Sequence, residues 1–450
     1  MARLAPASSV RERSRVTVGP VLARFAGLAA VGLLAARLPR RAWRRPPGLQ
    51  VLLAAGGPLV VVGVALGPGI ELLDQPTLRR LAPLTALALG WLGAALGARF
   101  EWRYLRRIPR GIWLLAALEA ASAFLSVAFG AALFARLRPA LTAAWIPRLP
   151  AILTLAAAAA AAGPGAAVLV ARIGGVRPRV ARAVARVALI EAGCAALALT
   201  VPLALHRAHA STESAELGWV AWLVFTTGSG ALLGLVFRSL TRLRPDRAEL
   251  GFILLATLLF GAGIGYAADL SPFLVCALAA AVIVNVSPRR HAVRQVLSDS
   301  ERVAYAGLLV ITGALLRLPT AWLLVAAPLL AGLRAAAKWG VVRGGRVAFP
   351  LPAVAPDVGL GTLAQGGVAL ACGLTFALVY GGLGPGPAGA TTGAGGGGGA
   401  VLATVVLAVA VTDLAAPRLM AFLLRAGPAP LTPRPVPPEL SATSSAEWPR

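Results

Sequence analysis

The sequence predicts an all-α integral membrane protein of about thirteen transmembrane helices, arranged as an inverted repeat with two interrupted helices. Three observations predict it. The 450 residues are 58% hydrophobic with only 13% charged and a mean hydropathy of +0.78, whereas a soluble domain carries about 25% charged residues. The basic residues alternate with the apolar runs in a topological pattern. Finally, two helices carry Gly/Pro-type interruptions at corresponding places in the chain.

The order of elements follows from the apolar windows. A basic tail, residues 1–18, precedes spans at approximately 20–37, 49–70, 80–99, 111–135, 150–171, 184–205, 217–238, 250–268, 271–287, 302–317, 320–340, 362–381 and 400–424. The transmembrane domain thus covers 19–427, and a Pro/Ser-rich tail, 428–450, is too short and polar to fold alone. No ten-residue segments alternate as barrel strands do, so the spans are helical. The first is read as a retained helix, because ARLPRRAWRR follows it rather than a small-residue cleavage site. The loop 381–399, ending in GAGGGGG, is expected to be flexible.

Charge then orients the chain. Most of the 43 Lys and Arg residues follow odd-numbered spans, which by the positive-inside rule places the N-terminus outside and the C-terminus in the cytoplasm of an inner (plasma) membrane. Arg3, Arg11, Arg13 and Arg15 in the N-terminal tail run against that assignment. The net charge of +26 sits in short clusters between apolar runs, a membrane-flanking pattern and not a nucleic-acid surface. Cys194, Cys276 and Cys372 all lie in apolar segments, which argues against disulfides or a metal site. His206 and His209, in HRAH, flank a loop without forming a metal site. No cofactor motif is present, and no cluster of His, Asp and Arg suggests an enzyme acting on lipid-linked substrates.

The fifth span reads PAILTLAAAAAAAGPGAAVLVAR, broken at Gly163-Pro164-Gly165, and the twelfth reads GTLAQGGVALACGLTFAL, broken at Gln365-Gly366-Gly367. Proline removes a backbone donor and glycine permits unwinding. By the topology above the two spans run in opposite directions. Paired interrupted helices in oppositely oriented halves are a signature of secondary transporters, with the site at the breaks.

Charged residues inside spans mark the candidate site. Glu191 is the only chargeable residue from Val187 to Leu205, where a carboxylate costs roughly 2.5–3.5 kcal/mol on insertion scales. Lys338 is the only lysine; the other 42 basic residues are arginine, which unlike lysine stays charged on burial. Arg334 lies one turn before it. Glu119 and Asp413 are further intramembrane carboxylates, either alternative proton sites or structural partners. Asn285 and Gln365 can satisfy backbone groups at breaks or coordinate a cation. Asp269 and Arg317 fall at helix ends, where an interfacial place is expected.

Several segments, in order, resemble the monovalent cation:proton antiporters, including Kef-type and sodium/hydrogen exchangers, over about residues 50–427. GVALGPGIELLDQPTLRRLAPLTALALGWLGAALGARFEWRYLRR resembles that family's early segment. AAGPGAAVLVARIGGV resembles its first crossing helix, with Ala162-Gly163-Pro164 where a Thr-Ser-Pro or Thr-Asp-Pro motif normally stands. DLSPFLVCALAAAVIVN, LVITGALLRL, RAAAKWG, GLGTLAQGGVALACGL and VTDLAAPRLMAFLLRAG resemble its later helices.

The resemblance implies a dimerisation domain and a moving core domain, usually a homodimer, exchanging Na⁺ or K⁺ for H⁺ by an elevator-like motion. It implies an ion-carrying aspartate in the sixth span; that place aligns with Ala192, and Glu191 matches the residue before it. It also implies that a basic residue, Lys338 or Arg334, pairs with the site carboxylate. The expected ion and proton residues are therefore Glu191, Lys338, Arg334 and Asn285. The alternative reading is a protein of the same fold without cation exchange, either an organic-anion carrier or a transport-dead scaffold.

Overall fold

The computed structural model describes residues 47–425 apart from 70–72, 74, 143–144, 146–147, 174–177, 211–217, 244–245, 319–320, 349–360, 382 and 384–396. The first predicted span, both tails and most of the 381–399 loop lie outside the described residues. The helices are α1 (Pro47–Ala54), α2 (Gly57–Val64, extended by a π-turn over Ala65–Gly69), α3 (Gln75–Arg80), α4 (Ala82–Gly97), α5 (Trp102–Leu105) and α6 (Arg110–Leu137). There follow α7 (Arg148–Ala160), α8 (Pro164–Ile173), α9 (Pro178–Ala198), α10 (Thr200–Ala210), α11 (Trp219–Leu240) and α12 (Arg247–Ala267). The last are α13 (Pro272–Val286), α14 (Arg290–Ala314), α15 (Leu323–Ala348), α16 (Gly366–Tyr380) and α17 (Gly397–Arg425).

Six of these are long and apolar enough to cross a membrane, and α7 with α8 forms a seventh, bent by 45° at its break. Four more apolar helices are shorter. The chain is a multi-pass membrane protein, and every predicted span after the first falls on one or more of these helices.

Four details differ from the sequence expectation. The second span is divided at Gly56, whose φ of +96° suits glycine. The tenth begins at Arg290, not 302, because RHAVRQVLSDSER is amphipathic: Val293 and Leu297 are buried while Arg294, Ser298 and Glu301 line a cleft. Continuous apolarity could not show that half of the helix. Gly397–Gly399 of the expected flexible loop belong to α17, where Gly398 lies so close to Gly381 that an added Cβ would stand 2.7 Å from its Cα. The sixth span runs on past 205 through HRAH, the last turn of α10, with the side chains of His206 and His209 outside the described residues.

The chain visits two bundles alternately. One contains α2, α4, α11, α12, α13 and α14; the other contains α6, α7, α8, α9, α15, α16 and α17, with α1 against α17. In the first bundle, GWLGAALG presents Gly93 and Gly97 four residues apart. An added Cβ on either would overlap the backbone carbonyl of Phe273 or Ala277 in α13. Small residues at this spacing let helix backbones touch in lipid, where van der Waals contact replaces the hydrophobic drive. Gly63 and Gly313 do the same between α2 and α14.

Gly93→Ala should therefore lower stability by about 1–3 kcal/mol through overpacking. Gly263→Ala, whose Cβ meets nothing within 4 Å, should be neutral. Thermal unfolding of the detergent-solubilised protein checks both, and equal effects would contradict the contact.

Candidate ion and proton site

Each broken span unwinds slightly before the residues that signalled it. The non-helical residues are Ala161–Gly163 and Leu363–Gln365, with Pro164 and Gly366 opening the second half-helix in each case. Proline is suited to a first helical turn because its missing N–H would be unpaired there. The unwound segments cross in contact, the Gly163 N–H donating to Ala364 O at 3.0 Å. A Cβ on Gly163 would stand 2.9 Å from Gln365 O, and Gly366 has φ +59°. Both positions demand glycine.

Four helix ends meet at this crossing, and the carbonyl ends are stapled by Arg334. Its Nε donates to Ala159 O at 2.6 Å, Nη1 to Leu363 O at 2.8 Å, and Nη2 to Ala161 O at 2.9 Å and Thr362 O at 3.2 Å. The guanidinium fork thus satisfies orphan carbonyls of both first halves and opposes their negative dipole ends. Gln365 adds a bond from Nε2 to Ala158 O at 2.9 Å.

One turn further along α15, Lys338 meets Glu191. Nζ donates to both Glu191 oxygens, at 2.6 and 2.7 Å, and to Thr362 Oγ1 at 3.0 Å. The Thr362 hydroxyl donates in turn to Glu119 Oε2 at 3.0 Å, and Nζ lies 4.0 Å from that oxygen. Glu119, Glu191, Lys338 and Thr362 are all fully buried. Small residues make this possible: Ala188, Ala192 and Ala195 of α9 are buried without exposure. The structure thus joins Glu191 and Lys338, as the sequence suggested, and adds Glu119. Arg334 belongs to the cluster but binds carbonyls in place of a carboxylate.

Asp413, on α17, is buried next to Thr412, whose hydroxyl donates to Gln365 Oε1 at 3.4 Å at the second break. Its Oδ1 is buried without a partner. Asn285 is not brought to the cluster. It is exposed at the end of α13, accepting from the Trp102 N–H at 2.6 Å and donating to Phe100 O at 2.9 Å, and so ties down the 98–102 turn. The sequence reading missed Thr362; a lone hydroxyl just ahead of an unwound segment was the only available signal. Arg317 is exposed as expected, while Asp269 is half-buried with a positive φ of 49°. Among the described residues no group of His, Cys, Asp and Glu could hold a metal ion.

Between the bundles lies a cleft of about 860 Å³. Arg99, Glu301 and Tyr305 line it from the first bundle, and Leu189, Gly163 and Gly366 from the second. Glu191 follows Leu189 by two residues, a rotation of about 200 degrees, so its carboxylate is turned from the cleft into the second bundle.

This architecture matches solved structures. The sodium proton antiporter MjNhaP1 from Methanocaldococcus jannaschii at pH 8 aligns with a TM-score of 0.61 and 14% identity, covering 90% of this chain and 99% of that one. The chain has a sodium proton antiporter fold. An electron-microscopy structure of the same antiporter gives a TM-score of 0.60 at 15% identity, covering 90% and 98%. No family model and no curated protein matches the sequence.

Removing one partner of a buried ion pair strands the other charge. Lys338→Met should lower stability by about 3–5 kcal/mol, while Glu191→Leu combined with Lys338→Met should recover most of that loss. Denaturation of the purified variants in detergent decides this; a double variant less stable than the single one would contradict it.

Proposed function

We propose that the protein is a secondary active transporter exchanging a monovalent cation, Na⁺ or K⁺, for H⁺ by alternating access. The observation that carries this reading is a carboxylate paired with the chain's only lysine, fully buried beside the crossing of two broken helices. A cation approaching Glu191 competes with Lys338 and with a proton for the same oxygens, so binding one releases another. The two bundles supply the alternation: the second, stapled at its crossing by Arg334, slides as a unit against the first, exposing the site to each side in turn.

The proposed setting is a multi-pass protein of the plasma (inner) membrane with its N-terminus outside, its C-terminus in the cytoplasm, and a second copy as partner. The basic loops support this orientation.

One observation favours the alternative of an antiporter fold without cation exchange. Ala192 stands where the resemblance implies an ion-carrying aspartate, and Glu191 is turned from the cleft. Cation entry therefore requires a rotation or shift of α9 relative to α15 that opens the Lys338 pair.

Reconstituted into liposomes holding a pH dye, the protein should move protons when a Na⁺ or K⁺ gradient is imposed, and Glu191→Gln should lower the rate at least tenfold. Exchange that survives in Glu191→Gln would remove this residue from the cycle. Absence of exchange with either cation, in folded protein, would favour the alternative.

A further inference from the structure

The chain crosses from α4 of the first bundle to α6 of the second through a short linker whose backbone is fixed from beneath. Asn285 of α13 accepts from the Trp102 N–H at 2.6 Å and donates to Phe100 O at 2.9 Å, and Arg294 of α14 donates to Ala98 O at 3.0 Å. Glu101 pairs with Arg294 at 2.8 Å and Arg290 at 3.5 Å, while Leu105 and Ile108 are buried. The rest of the segment WRYLRRIPR is exposed, Trp102 to 60%.

Its arginines lack a counter-charge. Among the described residues the neighbouring carboxylates are already engaged, Glu101 as above and Glu301 with Arg99 at 3.1 Å, and none pairs with Arg103, Arg106, Arg107 or Arg110. The Arg106 N–H donates to Trp102 O at 2.9 Å and the Arg107 N–H to Tyr104 O at 3.1 Å, so one helical turn carries three of them. Arg103 stands three and four positions from the other two, a spacing at which like charges are neighbours and repel. An anion from outside the chain relieves that repulsion.

The surroundings indicate which anion. A linker between the ends of two spans lies at the membrane–water boundary, where tryptophan and tyrosine collect. The Arg106 guanidinium lies 5.7 Å over the Trp102 ring, and that of Arg186 in α9 lies 5.9 Å over Tyr104. Helices α6 and α15 run antiparallel, Phe134 stacking on Trp322 towards one end and Glu119 lying 4.0 Å from Lys338 nearer the middle. That direction brings Trp113 and Arg343 to the linker end, where Arg343 sits 4.6 Å over the exposed Trp339. Guanidinium groups with free N–H edges suit phosphate oxygens. A phosphate that carries acyl chains also finds an apolar bed here, because Trp113 and Leu114 of α6 are exposed beside Arg110.

We propose that the linker 102–110 binds the headgroup of an anionic phospholipid, with Arg103, Arg106 and Arg107 around the phosphate and the acyl chains along Trp113 and Leu114. Clusters of basic residues beside a span attract anionic lipid by charge complementarity, and here the cluster is held in place by Asn285 and Glu101. The proposal goes beyond ion exchange and stands equally for a chain that transports nothing. Its consequence is positional: the linker is pinned to α13 and α14 while Arg110 opens α6, so one bound lipid rests on both bundles.

For the test, purified full-length protein in a neutral detergent is offered phosphatidylglycerol or phosphatidylcholine with the same acyl chains, and bound lipid is counted by native mass spectrometry. Phosphatidylglycerol should bind about tenfold more tightly or better, and a variant combining Arg103→Gln, Arg106→Gln and Arg107→Gln should lose that preference. Arg238→Gln with Arg242→Gln, which removes exposed charge from another basic loop, should keep it. Equal binding of the two lipids, a preference that survives in the triple variant, or one lost as fully in the Arg238 and Arg242 variant would overturn the proposal. Displacement of the lipid by millimolar inorganic phosphate at constant ionic strength would do the same, since it marks a free-anion site. Should the triple variant fail to fold, Arg103→Gln alone decides: phosphatidylglycerol should bind about fivefold more weakly, and unchanged binding would refute the site.

Discussion

The structure depends on one constraint: charge placed inside a membrane must be matched where it lies. Glu191, Lys338, Glu119, Arg334 and Asp413 are each at most 2% exposed, and none could persist alone. Their mutual placement requires α6, α9, α15 and α17 to converge, α15 contributing both cations and each of the others one carboxyl. Apolar packing in lipid has little power to specify such a convergence, since lipid tails are as apolar as leucine. The polar cluster supplies it, through hydrogen bonds that only one arrangement of these helices satisfies.

Backbone chemistry imposes the complementary constraint. Unwinding two helices leaves four ends with orphan groups, and a bilayer offers no water to satisfy them. Arg334 fills that role for the carbonyl ends, bonding Ala159, Ala161, Thr362 and Leu363 at once. Lysine, with a compact ammonium, could not span both segments. The division of labour along one helical face follows: arginine at the backbone, lysine four residues later at the carboxylate. The first ties the two unwound segments together, and the second neutralises the buried Glu191 carboxylate.

Much of this was legible in the sequence. Composition and the alternating basic loops gave the helical membrane class, and GPG and QGG marked both breaks to within two residues. Glu191 and Lys338 stood out because each is a lone charge in an apolar setting. What was hidden has physical reasons. Glu119 and Lys338 are 219 positions apart, and nothing local says that one carboxylate will face another helix's lysine while Asn285, equally polar and intramembrane by sequence, instead caps a turn at an exposed edge. The amphipathic start of α14 was invisible to a search for unbroken apolarity because its polar face lines the cleft. Thr362 carried no charge to draw attention.

The central claim is that cation and proton exclude one another at the Glu191 cluster. Its most direct test needs no vesicles. Purified protein in weakly buffered detergent is titrated with Na⁺ or K⁺ while a dye reports protons released to solution. The account predicts saturable proton release on cation addition in the natural protein and none in Glu191→Gln. Folded natural protein that releases no protons with either cation, or releases them undiminished without the Glu191 carboxylate, would contradict it.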